Sequence, residues 1–275
     1  MLEKIKYVNH LNESFDFGCN GIYINENELH NFEWVITKKN NKIRSLDKGI
    51  QKSKLPVTII CKTEAEGITA RNRLFEIAEK DTLAMNHGKI YVGDYYLRCF
   101  ITKSQKKDYL HNNRYMVATL TISTDYPFWI RETTNTFRKL GSGGSTGAFL
   151  DYSFDYPYDY MAETASGTLN NTAVAESNFR MIIYGSCINP VVYINGHAYS
   201  VECTVGAGEY LTIDSVTKKI YLTGVDGTIT NLFGKRNRES YIFQKIPPGN
   251  NSVTWEGDYG IDIILLEERS EPKWI

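Results

Sequence analysis

The sequence predicts a mainly β protein, built as an N-terminal β-sandwich with one α-helix followed by a second β-sandwich. Three observations carry that expectation. Apolar and polar residues alternate over many short runs, the period of strands with one buried face. Glycine and asparagine recur between the runs as turn chemistry, for example in Ile194-Asn195-Gly196-His197 and Val225-Asp226-Gly227. Helical spacing, by contrast, is convincing only once. Tyrosine (19) and phenylalanine (12) are unusually frequent, and both favour strands and protein interfaces.

Taken in order, Ile5 to Val8, Ser14 to Phe17 and Gly21 to Ile24 read as short strands joined by tight turns. Leu29 to Thr37 reads as a further strand with Phe32, Trp34 and Ile36 on one side. The run Lys38-Lys39-Asn40-Asn41-Lys42 closes it as a solvated hairpin tip. Leu55 to Lys62 contains the β-branched Val57-Thr58-Ile59-Ile60 and should be a buried strand. Thr63-Glu64-Ala65-Glu66 then has the form of a capping box. Ala70, Leu74, Ile77 and Ala78 follow at helical spacing, so a helix is expected to end near Lys80-Asp81.

Strands resume from Thr82, with Thr82–Asn86, Lys89–Val92 and Tyr95–Thr102 separated by turns at His87-Gly88 and Gly93-Asp94. Lys103 to Asn113 is charged and polar and reads as a long exposed loop. Arg114 to Thr124 alternates strictly, and Phe128 to Phe137 reads as an edge strand. The second half has no comparable helix. Strand-length pieces are Ser177 to Gly185, Val191 to Ile194, Ala198 to Val205 and Glu209 to Asp214. They continue with Lys219 to Leu222, Tyr241 to Ile246, Ser252 to Trp255 and Ile261 to Glu267.

Between the halves, Gly141-Ser142-Gly143-Gly144-Ser145-Thr146-Gly147 has the composition of a flexible joint, flanked by Tyr126-Pro127 and Tyr156-Pro157. The expected organisation is an N-terminal domain over 1–138, a Gly/Ser linker over 139–148 and a C-terminal domain over 149–275.

A formal net charge of -1 gives no basic surplus, so specific nucleic-acid binding is not expected. Five cysteines without C-x-x-C spacing argue for folding in a reducing compartment without a disulfide framework. The N-terminus lacks the apolar core of a signal peptide and no run approaches transmembrane length, so membrane insertion is not expected.

No H-E-x-x-H or phosphate-loop pattern occurs. The tract from Gly141 to Gly147 lacks the lysine a phosphate loop needs. The histidines His10, His30, His87, His111 and His197 have no partner at metal-ligand spacing and read as surface residues. Glu256, Asp258 and Asp262 beside Trp255 have the composition of a sugar groove, but they read better as a strand end with Trp255 buried. No catalytic, cofactor or metal residue is therefore expected, and the chain does not read as an enzyme.

In the first half, three features resemble the distal tail protein family of tailed bacteriophages, the hub of siphophage-type baseplates. They are Ser14-Phe15-Asp16-Phe17-Gly18, the helix after a β-branched strand, and the closing Asp125-Tyr126-Pro127-Phe128. The second half adds Asp155-Tyr156-Pro157-Tyr158-Asp159-Tyr160, Asn189-Pro190 and Gly208-Glu209-Tyr210-Leu211-Thr212-Ile213-Asp214. Ile246-Pro247-Pro248-Gly249 and Glu267-Glu268-Arg269-Ser270-Glu271-Pro272-Lys273-Trp274 complete the set.

The resemblance implies a tail-tube-like belt domain that closes into a hexameric ring under the tail tube protein. It also implies a galectin-like C-terminal β-sandwich that holds tail-associated, fibre or receptor-binding proteins. The implied location is the virion tail tip or baseplate, after synthesis in the bacterial host cytoplasm. Within that picture the Lys103–Asn113 run is expected to touch neighbouring subunits or the tube. Galectin-like describes a fold only, since the His, Asn and Arg set that holds galactose is not found. Two other readings stay open: a carbohydrate-binding adhesin acting through the C-terminal sandwich, and a cell-wall polysaccharide hydrolase.

Overall fold

The computed structural model describes residues 4–19, 21–24, 26–109, 112–138 and 164–274. The expected Gly/Ser linker and Asp155–Tyr160 lie outside the described residues. Internal contacts divide the chain into two compact units. One comprises Met1–Arg131 with Glu268–Ile275, the other Glu132–Glu267.

The first unit opens with β1 (Ile5–Val8), β2 (Ser14–Phe17) and β3 (Ile22–Ile24). A separate ribbon, β4 (Val35–Lys39) with β5 (Lys42–Asp47), follows. Then come β6 (Gln51–Ile60), α1 (Glu64–Ala84), β7 (Gly88–Val92), β8 (Tyr95–Lys107), β9 (Tyr115–Thr124) and the start of β10 (Trp129–Phe137), whose residues from Glu132 on belong to the second unit. All pairings are antiparallel. β2, β1, β7 and the first half of β8 form one sheet; β3, β6, β9 and the second half of β8 form the other. A register shift between Ile101 and Lys103 lets β8 serve both, as a bulge bends a strand and raises its twist. Side chains from both sheets and from α1 meet in one core that includes Tyr7, Leu55, Leu74, Ile90, Leu120 and Ile122.

Proline stands inside β6 because of where its nitrogen points. Ile60 N–H donates to the Gly21 carbonyl and Lys54 N–H to the Glu28 carboxylate, so even-numbered residues of β6 face the β3 side. β3 reaches only as far as Val57. Pro56 therefore occupies a position where no ladder calls for the N–H it lacks.

Helix α1 begins as expected. Thr63 accepts from Glu66 N–H, and the Glu66 side chain reaches back to the Thr63 amide. It ends later than expected. Lys80-Asp81 reads as a polar stop, yet Asp81 is fully buried and the helix continues to Ala84 before Met85 turns left-handed. The expected strand at Thr82–Asn86 is thus largely the last helical turn, and His87-Gly88 leads into β7 rather than forming a hairpin. Gly93-Asp94, in contrast, is the expected two-residue turn between Val92 and Tyr95.

The first part of the expected loop at Lys103–Asn113 is strand, while residues 108, 109, 112 and 113 are not. Lys103 to Lys107 continue β8, because β9 supplies a ladder partner for the whole run. The expected strand at Leu29–Thr37 starts only at Val35, while β6 begins earlier, at Gln51.

The second unit contains β11 (Thr164–Asn171), β12 (Asn178–Tyr184), β13 (Cys187–Ile188), β14 (Val191–Ile194) and β15 (His197–Ser200). These are followed by β16 (Thr204–Val205), β17 (Tyr210–Asp214), β18 (Lys219–Thr223), β19 (Ile229–Asn231), β20 (Gly249–Glu256) and β21 (Ile261–Arg269). One sheet runs β19-β18-β17-β12-β21 and the other β11-β20-β14-β15. Both line one core, with Phe179, Met181 and Ile213 from the first sheet and Leu169, Val192 and Trp255 from the second. The Asn195-Gly196 turn joins β14 to β15, with Asn195 and Gly196 at φ 50 and 80, the left-handed pair that a tight hairpin needs.

Tyr241–Ile246 is not the expected strand. Ile242, Phe243 and Ile246 are buried, but Gln244 N–H turns back to the Tyr241 carbonyl, and the segment plugs the core as a turn. Glu268 to Trp274 packs with the first unit, whereas the expected boundaries put it with the second. Tyr126 Oη donates to the Glu268 carboxylate, and the Trp274 ring stacks on His30 with centroids 4.0 Å apart.

Two outcomes follow from this packing. Ordinary helix propensity would make Gly67→Ala stabilising by about 1 kcal/mol. A Cβ there, however, would stand 2.0 Å from the Asn113 carbonyl oxygen, so the expected result is a lower denaturant midpoint. Trp255→Ala should cost about 3–5 kcal/mol, read as loss of cooperative melting of the second unit rather than a local change.

Candidate assembly surface

The β4–β5 ribbon is the feature whose sequence and environment disagree most. Apart from Ser45, its residues from Val35 to Asp47 are exposed, and among the described residues it pairs with no third strand. Asn40 and Asn41 form the tip in left-handed conformation, φ 52 and 57, as expected of a hairpin turn. Ile36 opposes Leu46 and Lys38 opposes Ile43. These four side chains share one face, three of them apolar. A two-stranded hairpin is marginal in water by itself, so this one needs an anchor at its root and a cover for its apolar face.

The root is built from the first unit's own aromatics. Lys48 Nζ lies 4.5 Å from the Phe128 ring centroid, 4.9 Å from Trp34 and 5.7 Å from Phe32. It also donates to the Pro127 carbonyl at 2.9 Å. A partly desolvated ammonium over ring faces is held by the ring quadrupoles. Burial pushes its pKa below the usual lysine value. The Tyr126-Pro127-Phe128 corner is therefore the seat of the ribbon. Arg98 adds a second cation at this corner, 4.6 Å from the Tyr126 ring centroid.

Helix α1 shows a second exposed surface. Gly67, Ala70, Leu74, Ile77, Ala78 and Asp81 are buried. The opposite stripe is Ile68, Asn72, Glu76, Glu79 and Leu83, all exposed. Its rotation is set by Asp81, whose carboxyl accepts from Tyr7 Oη at 2.6 Å and His10 N–H at 2.9 Å, with His10 Nδ1 at 2.5 Å. Burial pushes the Tyr7 hydroxyl well above the usual tyrosine value. Gly88 makes room for the pair, since a Cβ there would meet Asp81 Oδ2 at 2.3 Å.

The residues weighed for chemistry are not brought together. His10 is held by Asp81, His30 stacks on Trp274, and His197 faces the Tyr241 carbonyl. His87 packs edge-on to Phe100, and burial lowers its pKa. His111 lies outside the described residues. Trp255 is buried and donates from Nε1 to the Tyr259 carbonyl at 3.0 Å, so no sugar can stack on it. Asp262 accepts from Tyr184 Oη at 2.9 Å. Among the described residues, no three His, Cys, Asp or Glu side chains converge as a metal site. An open groove of about 620 Å³ lies between Lys4, Lys6, Asp16, Cys19 and Tyr91, with one carboxylate in it. Sequence reading singled out the tip lysines but missed the apolar face behind them. The signal was Ile36, Ile43 and Leu46 flanking a turn.

No protein-family model matches the sequence, and no curated protein matches it. Solved structures do. The Dit protein (gp 19.1) of phage SPP1, described as a paradigm of the hub adsorption apparatus of phages infecting Gram-positive bacteria, is 10% identical with a TM-score of 0.60. That similarity covers 98% of this chain and 100% of that one. A chain of the phage P2 baseplate in its activated conformation with Ca is 13% identical with a TM-score of 0.64, covering 99% of this chain and 100% of that one. The activated baseplate with Sr gives 13% and 0.63 over the same shares, 99% and 100%. Across nearly its whole length, the chain carries the fold of phage Dit hub and baseplate proteins.

Proposed function

We propose that this chain is a structural tail protein of a phage or phage-derived particle. It acts as a distal tail or baseplate hub subunit whose copies form a ring, six to a turn, between the tail tube and the receptor-binding apparatus. The observation that carries the reading is the full-length match to SPP1 Dit and the P2 baseplate chain, which takes in both compact units rather than one common sandwich. The exposed apolar ribbon and helix stripe support it, because a ring subunit must expose apolar surface until its neighbours cover it.

In this reading the first unit supplies the ring and tube contacts. The second holds the tail-tip proteins. Lys103 to Lys107, being strand, would meet a neighbour as an exposed charged edge rather than a loop. The site of action is the virion tail tip, with synthesis in the host cytoplasm. The chain would work through surfaces and not as an enzyme. The adhesin reading loses its main support, because Trp255 is the sugar platform it needed and that ring is inside.

Negative-stain electron microscopy of the purified full chain, alone and with its tail tube protein, tests the proposal. Closed annuli with six-fold symmetry that cap the tube are expected. Particles that remain single in both samples would sink it.

A further inference from the structure

We infer that the β4–β5 ribbon of one copy seats along the exposed stripe of α1 on the next copy, which rests on the ring reading above. The two surfaces fit in chemistry. Around its apolar residues the ribbon carries Lys38, Lys39, Lys42 and Arg44, against the single carboxylate Asp47. The helix stripe offers Glu76 and Glu79 between Ile68 and Leu83, with Leu83 79% exposed and Ile43 of the ribbon 60% exposed.

The cations of α1 are committed within the chain. Arg71 donates to the Asn112 and Tyr115 carbonyls, Arg73 to the Ser14 carbonyl, and Lys80 pairs with Glu13. Glu76 and Glu79 make no ion pair among the described residues. They are left to face a basic partner.

The lengths also match. Strand β4 spans about 17 Å at roughly 3.3 Å per residue, and Ile68 to Leu83 covers about 22 Å at roughly 1.5 Å per residue. Apolar ends with carboxylates between them can meet Ile36, Ile43 and Leu46, with Lys38 on the same face and Lys39 and Lys42 at the tip beyond it. Burying the apolar groups drives association, and the charges select register.

Ribbon and stripe are different patches, so the contact is head-to-tail. Such contacts propagate around a ring when the rotation closes. Nothing in this geometry sets the number of copies.

Charge reversal in the full chain tests the contact. The variants are Lys38→Glu with Lys42→Glu on the ribbon, Glu76→Lys with Glu79→Lys on the helix, and all four combined. Self-association is read by sedimentation at about 1–100 µM, with thermal melting to confirm that these exposed changes leave the fold intact. Each pair alone should weaken association about tenfold or more, and the combined chain should recover to within about threefold of the original. As a second measurement, Leu46→Cys and Leu83→Cys, each in a Cys19→Ser background, should form a mixed disulfide when the two chains are combined. Helix reversal without effect, no recovery in the combined chain, or no mixed disulfide would each overturn the contact. If the unaltered chain still forms annuli in those cases, the ring reading stands and only the contact falls. An unaltered chain that stays monomeric at about 100 µM, with no annuli on the tube, overturns both.

Discussion

A single buried carboxyl sets much of the first unit. Asp81 has no exposure to solvent, and a carboxyl removed from water must find donors inside. It finds Tyr7 on β1 and His10 just beyond it. That bond ties the end of α1 to the first strand and fixes the helix about its own axis. Leu74 and Ile77 then face the sheets, and Ile68, Glu76 and Leu83 face outward. The same constraint explains Gly88, because any side chain there would collide with the Asp81–Tyr7 pair.

The second constraint is the Tyr126-Pro127-Phe128 corner. Its rings and one carbonyl hold Lys48, and Lys48 ends the β5 arm of an otherwise unsupported ribbon. Tyr126 also receives the returning tail through Glu268. One short aromatic stretch thus anchors two excursions of the chain. In the second unit, Trp255 and Tyr199 serve packing, both rings lying inside the core.

The parts of the fold governed by local rules were legible in the sequence. The Thr63 capping box, the Asn195-Gly196 and Gly93-Asp94 turns and the alternation of Tyr115 to Thr124 each depend on neighbours within a few residues. The misreadings share a cause in distant partners. Asp81 looked like a helix stop because its partners lie more than 70 positions away. Lys103 to Lys107 looked like a loop because β9, not its own polarity, makes it a strand. Tyr241–Ile246 has strand-like spacing, but burial without a ladder yields a turn that fills the core.

By itself, then, the sequence determined the β character of both halves, the start of the long helix, and the Asn195-Gly196 and Gly93-Asp94 turns. These follow from periodicity, capping and backbone preference, all short-ranged. Only the tertiary structure decided where the helix ends, that the final residues return to the first unit, and that Ile36, Ile43 and Leu46 share a face left open to solvent. Those outcomes depend on which distant groups compete for a buried carboxyl, a ladder position or an aromatic seat, and no local pattern encodes that competition.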